Sequence, residues 1–184
     1  MKLRPLLTGL AALLTLSAVL PAAPASTHTK VSREQTFTVA RPIAEAFPLF
    51  EPSGEKKWAE GWNPVFPSAD DLPLHDGSVF TVEAPHPHNG GLMKSVWAVT
   101  RYEPPHLIEY RNVVIGLRAT RIRVWCAATG ERETRVTVRY EYTGLSAEGD
   151  GLISEITAGH YQEMITQWHD AIAAYLRRGT PATP

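Results

Sequence analysis

Residues 37–64 read FTVARPIAEAFPLFEPSGEKKWAEGWNP, and this stretch decides the fold. Phe37 and Val39 alternate with polar neighbours, which marks a short strand over 34–40. Pro42 then opens a helix, because proline suits the first turn, where its missing N–H would have no partner. Ile43, Ala46, Phe47 and Phe50 recur at helical spacing, and Pro48 inside that pattern shortens or kinks the helix. Pro52, Ser53 and Gly54 break it, with a second helical turn expected over 54–60. Beyond lies a loop holding two indoles, Trp58 and Trp62, among charged residues. A loop does not build a core alone, so aromatic rings placed in one usually line something.

Toward the C-terminus, residues 63–75 are rich in proline and aspartate and lack any period, so they read as a long loop. Strands follow over 78–83, 92–102, 107–113, 117–128 and 133–142. Their separators carry turn chemistry: HPHNGG at 86–91, Pro104-Pro105, Gly116 and Thr129-Gly130. Short links between successive strands imply antiparallel neighbours. Val136, Val138, Tyr140 and Tyr142 share one face of the last strand, while Arg135, Thr137, Arg139 and Glu141 share the other, the pattern of a sheet with one wet face. The final element is a long amphipathic helix over 151–178, with Ile153, Ile156, His160, Met164, Trp168, Ala171, Ile172 and Tyr175 in one stripe. Arg177 and Arg178 at its end complement the helix dipole.

The first residues read as a targeting segment. Lys2 and Arg4 precede an apolar run over 6–20, and Ala23-Pro24-Ala25 offers a small-residue cleavage site, giving a signal peptide over 1–25. The alternative is an uncleaved anchor, but the run is shorter than the ~20 residues a spanning helix needs. The expectation is an exported protein, periplasmic or secreted, that meets a membrane only through this leader. A flexible lead over 26–33, one domain over 34–178 and a tail over 179–184 complete the chain. Cleavage would take the formal net charge from -1 to -3, so composition gives no reason to expect nucleic acid as a partner. Cys126, the single cysteine, is in phase with Ile122 and Val124 and reads as a small buried hydrophobe; an intermolecular bridge is the other option.

The order of elements, together with particular residues, resembles the START-like helix-grip superfamily, also called SRPBCC. The likeness is carried by Phe47-Pro48-Leu49-Phe50, Pro52, Gly54-Glu55, Trp58 and Gly61-Trp62-Asn63-Pro64. It continues in the run VWAVTRYEPP at 96–105, in residues 140–145, and in the last helix through Gln167-Trp168. The resemblance implies an α+β fold in which a curved antiparallel sheet wraps around a long C-terminal helix, with two short helices after the first strand. It also implies a pocket between sheet and helix that takes lipids, sterols, polyketides or similar apolar molecules, with catalysis in only some members and no cofactor.

Eight residues are candidates for contact with such a ligand: Trp58, Trp62, Trp97, Tyr110, Tyr140, His160, Met164 and Trp168. Trp58 and Trp62 either line a pocket mouth or plug the gap between short helices and sheet. For Trp97 the alternation of its strand does not settle which face points inward. His160 either orients a ligand or acts as a base, or it is a satisfied buried histidine. The arginines at 118, 121, 123, 132, 135 and 139 read as a solvated face paired with glutamates across the sheet. His86-Pro87-His88 offers too few ligands in too turn-like a segment for a metal. Three functions stay open: a carrier or sensor of a small hydrophobic molecule, a cofactor-free cyclase or dehydratase using the same pocket, and a solid domain acting through its surface. Oligomeric state is open as well.

Overall fold

A computed structural model describes residues 27–86 and 90–179. The leader expected over 1–25, His88 and the tail beyond Gly179 lie outside the described residues. Strand β1 (Lys30–Val39) is followed by helix α1 (Ile43–Ala46), a single 3-10 turn (Phe47–Phe50), helix α2 (Pro52–Glu55) and a second 3-10 turn (Ala69–Asp71). Strands β2 (Val79–Pro85), β3 (Leu92–Glu103), β4 (Leu107–Val114), β5 (Arg118–Gly130) and β6 (Glu133–Gly144) come next. Helices α3 (Ala147–Ser154) and α4 (Ala158–Arg178) close the chain.

The strands form one antiparallel sheet in the order β1-β6-β5-β4-β3-β2. From β2 to β6 each strand pairs with the next in sequence, while β1 joins β6 at the far edge. The segment between β1 and β2 must therefore travel from one edge of the sheet to the other. It carries α1, α2 and the tryptophan loop with it, and this crossing sets those elements over the inner face. Strand β1 starts at Lys30, earlier than its alternation suggested, because residues 30–33 pair in register with 140–143 of β6.

The period of two sorts the side chains. Ile108 and Tyr110 of β4, Ile122, Val124 and Cys126 of β5, and Val136 and Val138 of β6 are buried on the inner face with Phe47, Phe50 and Phe80. Burial pushes the Cys126 thiol up to about 12, so it packs as an inert small hydrophobe.

The C-terminal helix is two helices. Thr157 caps α4 by accepting from the His160 amide, and Ser146 caps α3 by accepting from Gly149, so the chain restarts at each cap. Most of the expected stripe holds, with Ile153 and Ile172 buried, but His160 is exposed and Tyr161 and Ile165 join the buried face. Tyr161, Ile165 and Ile172 are buried, flanked by half-buried Met164, Trp168, Ala171 and Tyr175. The Tyr161 hydroxyl donates to the Val138 carbonyl at 2.8 Å and pins the helix to β6. The nearest backbone approach of α4 is to β1. Over the middle of the sheet, Tyr161 and Trp168 of α4 meet Tyr140 of β6. This is the helix-grip arrangement.

Candidate functional site

The site is built on a close approach that only glycine permits. A Cβ on Gly54 would stand 1.7 Å from the Pro48 carbonyl oxygen, so α2 rests directly on the 3-10 turn before it. That contact fixes the direction in which Glu55 and, one turn later, Trp58 leave the backbone. Short helices leave carbonyls unsatisfied, and here three aromatic donors take them. Trp58 Nε1 donates to Leu49 O at 2.7 Å, Tyr110 Oη to Phe50 O at 2.8 Å, and Trp62 Nε1 to Pro52 O at 2.9 Å. Trp97, on the inner face of β3 beside Phe80, turns its Nε1 onto Ser95 Oγ at 2.9 Å.

These rings enclose a cavity of about 90 Å³ between the sheet and α4. Its walls are Trp58, Trp62, Trp97, Tyr110, Tyr140 and Trp168, with Glu55, Ala59, Ile122 and Val124. Trp58 meets Trp168 edge-on at 5.4 Å, and Tyr140 meets Trp168 at 6.3 Å. Three polar groups of the wall have no hydrogen-bond partner among the described residues: the Glu55 carboxyl, the Tyr140 hydroxyl and Trp168 Nε1. Glu55 is buried, and loss of water with no compensating partner pushes its carboxyl well above the usual 4.5. Burial likewise pushes the Tyr140 phenol well up, with Tyr142 and Glu55 adding to the effect. The cavity is therefore lined by a residue whose carboxyl is held toward its neutral, proton-donating form, together with a phenol and an indole.

Next to the cavity lies a cleft of about 300 Å³ that shares Ala59, Trp62 and Trp97 with it. Trp62 and Trp97 stand edge to face at 5.2 Å and form the partition between the two spaces. Val82, Met93 and Val114 supply the apolar wall of the cleft, and Ser95, Asn112 and Arg118 its polar one. A separate groove of about 310 Å³ runs between the end of β1 and the C-terminal half of α4, and none of the eight expected residues lines it.

Six of the eight candidates thus converge on one cavity. Met164 packs half-buried against the core and does not line the space. His160 is a correction. The cap at Thr157 puts it on the exposed first turn of α4, where its Nδ1 lies 2.9 Å from the Glu155 carbonyl, away from the cavity. Two polar contributors escaped sequence reasoning. Glu55 stands in the sequence only as part of the Gly54-Glu55 likeness, with no pattern around it to mark a buried carboxyl. Arg118 was grouped with the outer arginines, although its even number puts it in phase with inward Ile122 and Val124. Among the described residues no group of three His, Cys, Asp or Glu is placed to hold a metal, and His86 faces Glu148 at 3.5 Å.

No family model matches the chain, and no curated protein matches it. Solved structures do. The Mll3558 protein from Rhizobium loti superposes with a TM-score of 0.58 at 14% identity, over 82% of this chain and 99% of that one. Norcoclaurine synthase from Thalictrum flavum, in complex with dopamine and hydroxybenzaldehyde, gives 0.58 at 12% identity, over 89% and 99%. DynU16, from the dynemicin biosynthetic locus, gives 0.54 at 17% identity, over 83% of this chain and 49% of its own length. At these identities the likeness is one of fold alone.

Proposed function

We propose that this protein binds a small, largely apolar molecule in the space between the sheet and α4. The observation that carries the reading is the division of labour among the cavity's polar groups. The N–H groups of Trp58, Trp62 and Trp97 and the Tyr110 hydroxyl are bonded to protein, whereas the side chains of Glu55, Tyr140 and Trp168, which line the same space, make no hydrogen bond to the described residues. A core built only for packing would bond or omit those three groups, since a buried polar group without a partner costs about 1–3 kcal/mol. The enclosed volume of about 90 Å³ is below the roughly 300–1,000 Å³ of ordinary ligand pockets, so the ligand must also occupy the adjoining cleft. Ring faces supply affinity by apolar burial, and a neutral Glu55 and Tyr140 orient a carbonyl or hydroxyl of the ligand. The aromatic ligands of the norcoclaurine synthase complex suit such a lining.

A ligand that binds only the folded chain raises its melting temperature by mass action. Fatty acids, sterols, quinones and aromatic polyketides screened this way, with tryptophan fluorescence as a second readout, form the test. A melting temperature unmoved by every class, with the rings unquenched, would sink the reading.

One observation favours a second reading, an acid–base enzyme without cofactor. A carboxyl pushed up by an apolar pocket, beside a phenol, is the usual form of a general acid. Glu55→Gln separates the two: an enzyme loses turnover by about 10²-fold or more while still binding, and a carrier loses only a modest part of its affinity. We also propose export on the strength of residues 1–25. A mature N-terminus found at Met1 in envelope fractions, or the protein found only in cytoplasm, would refute cleavage and export respectively.

A further inference from the structure

We infer that the outer cleft is the anion-binding end of this site, where Arg118 and Asn112 hold the carboxylate of an apolar acid. The inference rests on the binding reading above and specifies its ligand class. Arg118 lies on the inner face of β5, where its cross-strand partners are Val114 and Gly144, neither of them charged. Its guanidinium has no carboxylate partner among the described residues, and its Nε is buried without a hydrogen bond. Asn112 lines the same cleft, is 4% exposed, and has an amide nitrogen with no partner. Its register neighbour Thr120, 3% exposed, has an unpartnered hydroxyl.

Buried polar atoms are normally paired, so this group on one patch of the inner face needs a reason. A ligand carboxylate supplies it. The planar guanidinium matches a carboxylate with two parallel hydrogen bonds, and the carboxamide adds a donor. Val82, Met93, Val114 and the two partition indoles receive the apolar body. Arg118 is the cation among the described lining residues, which suits a monoanion better than a phosphate dianion. The two acidic residues of the lining stand exposed at its rim, Glu83 facing Lys94 at 3.7 Å and Glu60 in solvent. Tyr140 and Tyr142 are the titratable groups inside that feel the Arg118 charge, and both are pushed up by burial, so they remain neutral near pH 7.

The test compares decanoate, decanol and decylamine below their micelle concentrations, with naphthoate and naphthalenemethanol as an aromatic pair. Binding to the full chain is read by calorimetry and indole quenching at pH 7.5. Each acid is expected to bind about tenfold or more tightly than its alcohol, and the amine least. Arg118→Gln should abolish that preference while leaving alcohol affinity within about twofold, and Arg118→Lys should restore part of it. Acids binding no better than alcohols, or a preference that survives Arg118→Gln, overturns the inference and leaves the binding reading standing. If none of the five compounds binds, both fall.

Discussion

The two faces of β4, β5 and β6 treat charge in opposite ways. On the outer face Arg121 lies 2.7 Å from Glu109, Arg123 lies 2.7 Å from Glu141, and Arg139 contacts Glu34 of β1. Trp125 is covered there by the Arg123 and Arg139 guanidiniums, 5.0 and 5.4 Å from its ring. A single step along the same strands leads to the inner face, where Asn112, Thr120 and Arg118 carry buried unpartnered polar atoms and Glu55 lines the cavity above the sheet. On the outer face the Arg121, Arg123 and Arg139 guanidiniums each have a carboxylate partner, although Arg123 Nε is itself buried there without a hydrogen bond. On the inner face Arg118 has no such partner among the described residues, and each unmet group there lowers stability by an amount that a bound molecule can return.

The comparison breaks most easily at the tryptophans. Trp58→Ala removes a ring that is 8% exposed and bonded to Leu49 O, and should cost about 3–5 kcal/mol. Trp125→Ala removes a half-buried ring held by cation–π contact and should cost about 1 kcal/mol. Urea denaturation measures both. At about 2–4 °C per kcal/mol for a chain of this size, melting should separate them clearly. Equal losses would mean that the inner rings are no more structural than a surface patch.

Much of this division was legible in the sequence, and where it was not the reasons are physical. Alternation in 133–142 marked the faces of β6 because both faces follow one rule over a whole strand. The same parity places Arg118 inward, but six arginines close together in sequence read as a single charged patch before phase is applied. His160 falls out of the stripe because the cap at Thr157 places it in the first turn of α4, where its ring turns to the Glu155 carbonyl, while the rest of the stripe keeps its phase. Glu55 was hidden for a different reason: a carboxylate in a four-residue helix has no periodicity to declare it buried. What buries it is the close approach at Gly54, a tertiary contact. The aromatic candidates were easier to find, since a large ring must be placed somewhere out of water.

A finer test uses the two glutamates, each less than a tenth exposed. For Glu55 burial raises the folded pKa above its ordinary 4.5, so its contribution is complete below that value and is lost as pH rises through the folded one. Glu109 behaves in reverse. Burial pushes it up, but hydrogen bonds from Arg121 at 2.8 Å and Thr100 at 2.7 Å prevail and hold it below 4.5. Its contribution is present above its ordinary value and lost as pH falls through the depressed one. Glu55→Gln should therefore be more stable than the parent at pH 8, with the gain shrinking as pH falls through the raised folded value and gone near the ordinary 4.5. Glu109→Gln should be less stable at pH 7, by on the order of 1–2 kcal/mol, with the deficit fading toward pH 3. Chemical denaturation across pH reads both slopes, and slopes of the same sign would erase the contrast between the faces.

The smallest effect is the most diagnostic, because it turns on sign. Arg123→Gln loses both the 2.7 Å contact to Glu141, a part-exposed pair, and its place over the Trp125 ring, and should cost on the order of 1 kcal/mol, less in high salt. Arg118→Gln, without ligand, loses no ionic partner and relieves a half-buried guanidinium of its desolvation. Stability should stay level or rise slightly. If Arg118→Gln destabilised the unliganded chain as much as Arg123→Gln does, Arg118 would be serving the fold, and its unmet hydrogen bonds would need another explanation. A side chain whose removal leaves the empty protein unharmed but abolishes preference for an acid is retained for what it binds. Stability and affinity measured on the same variant therefore separate a residue of the scaffold from one of the site.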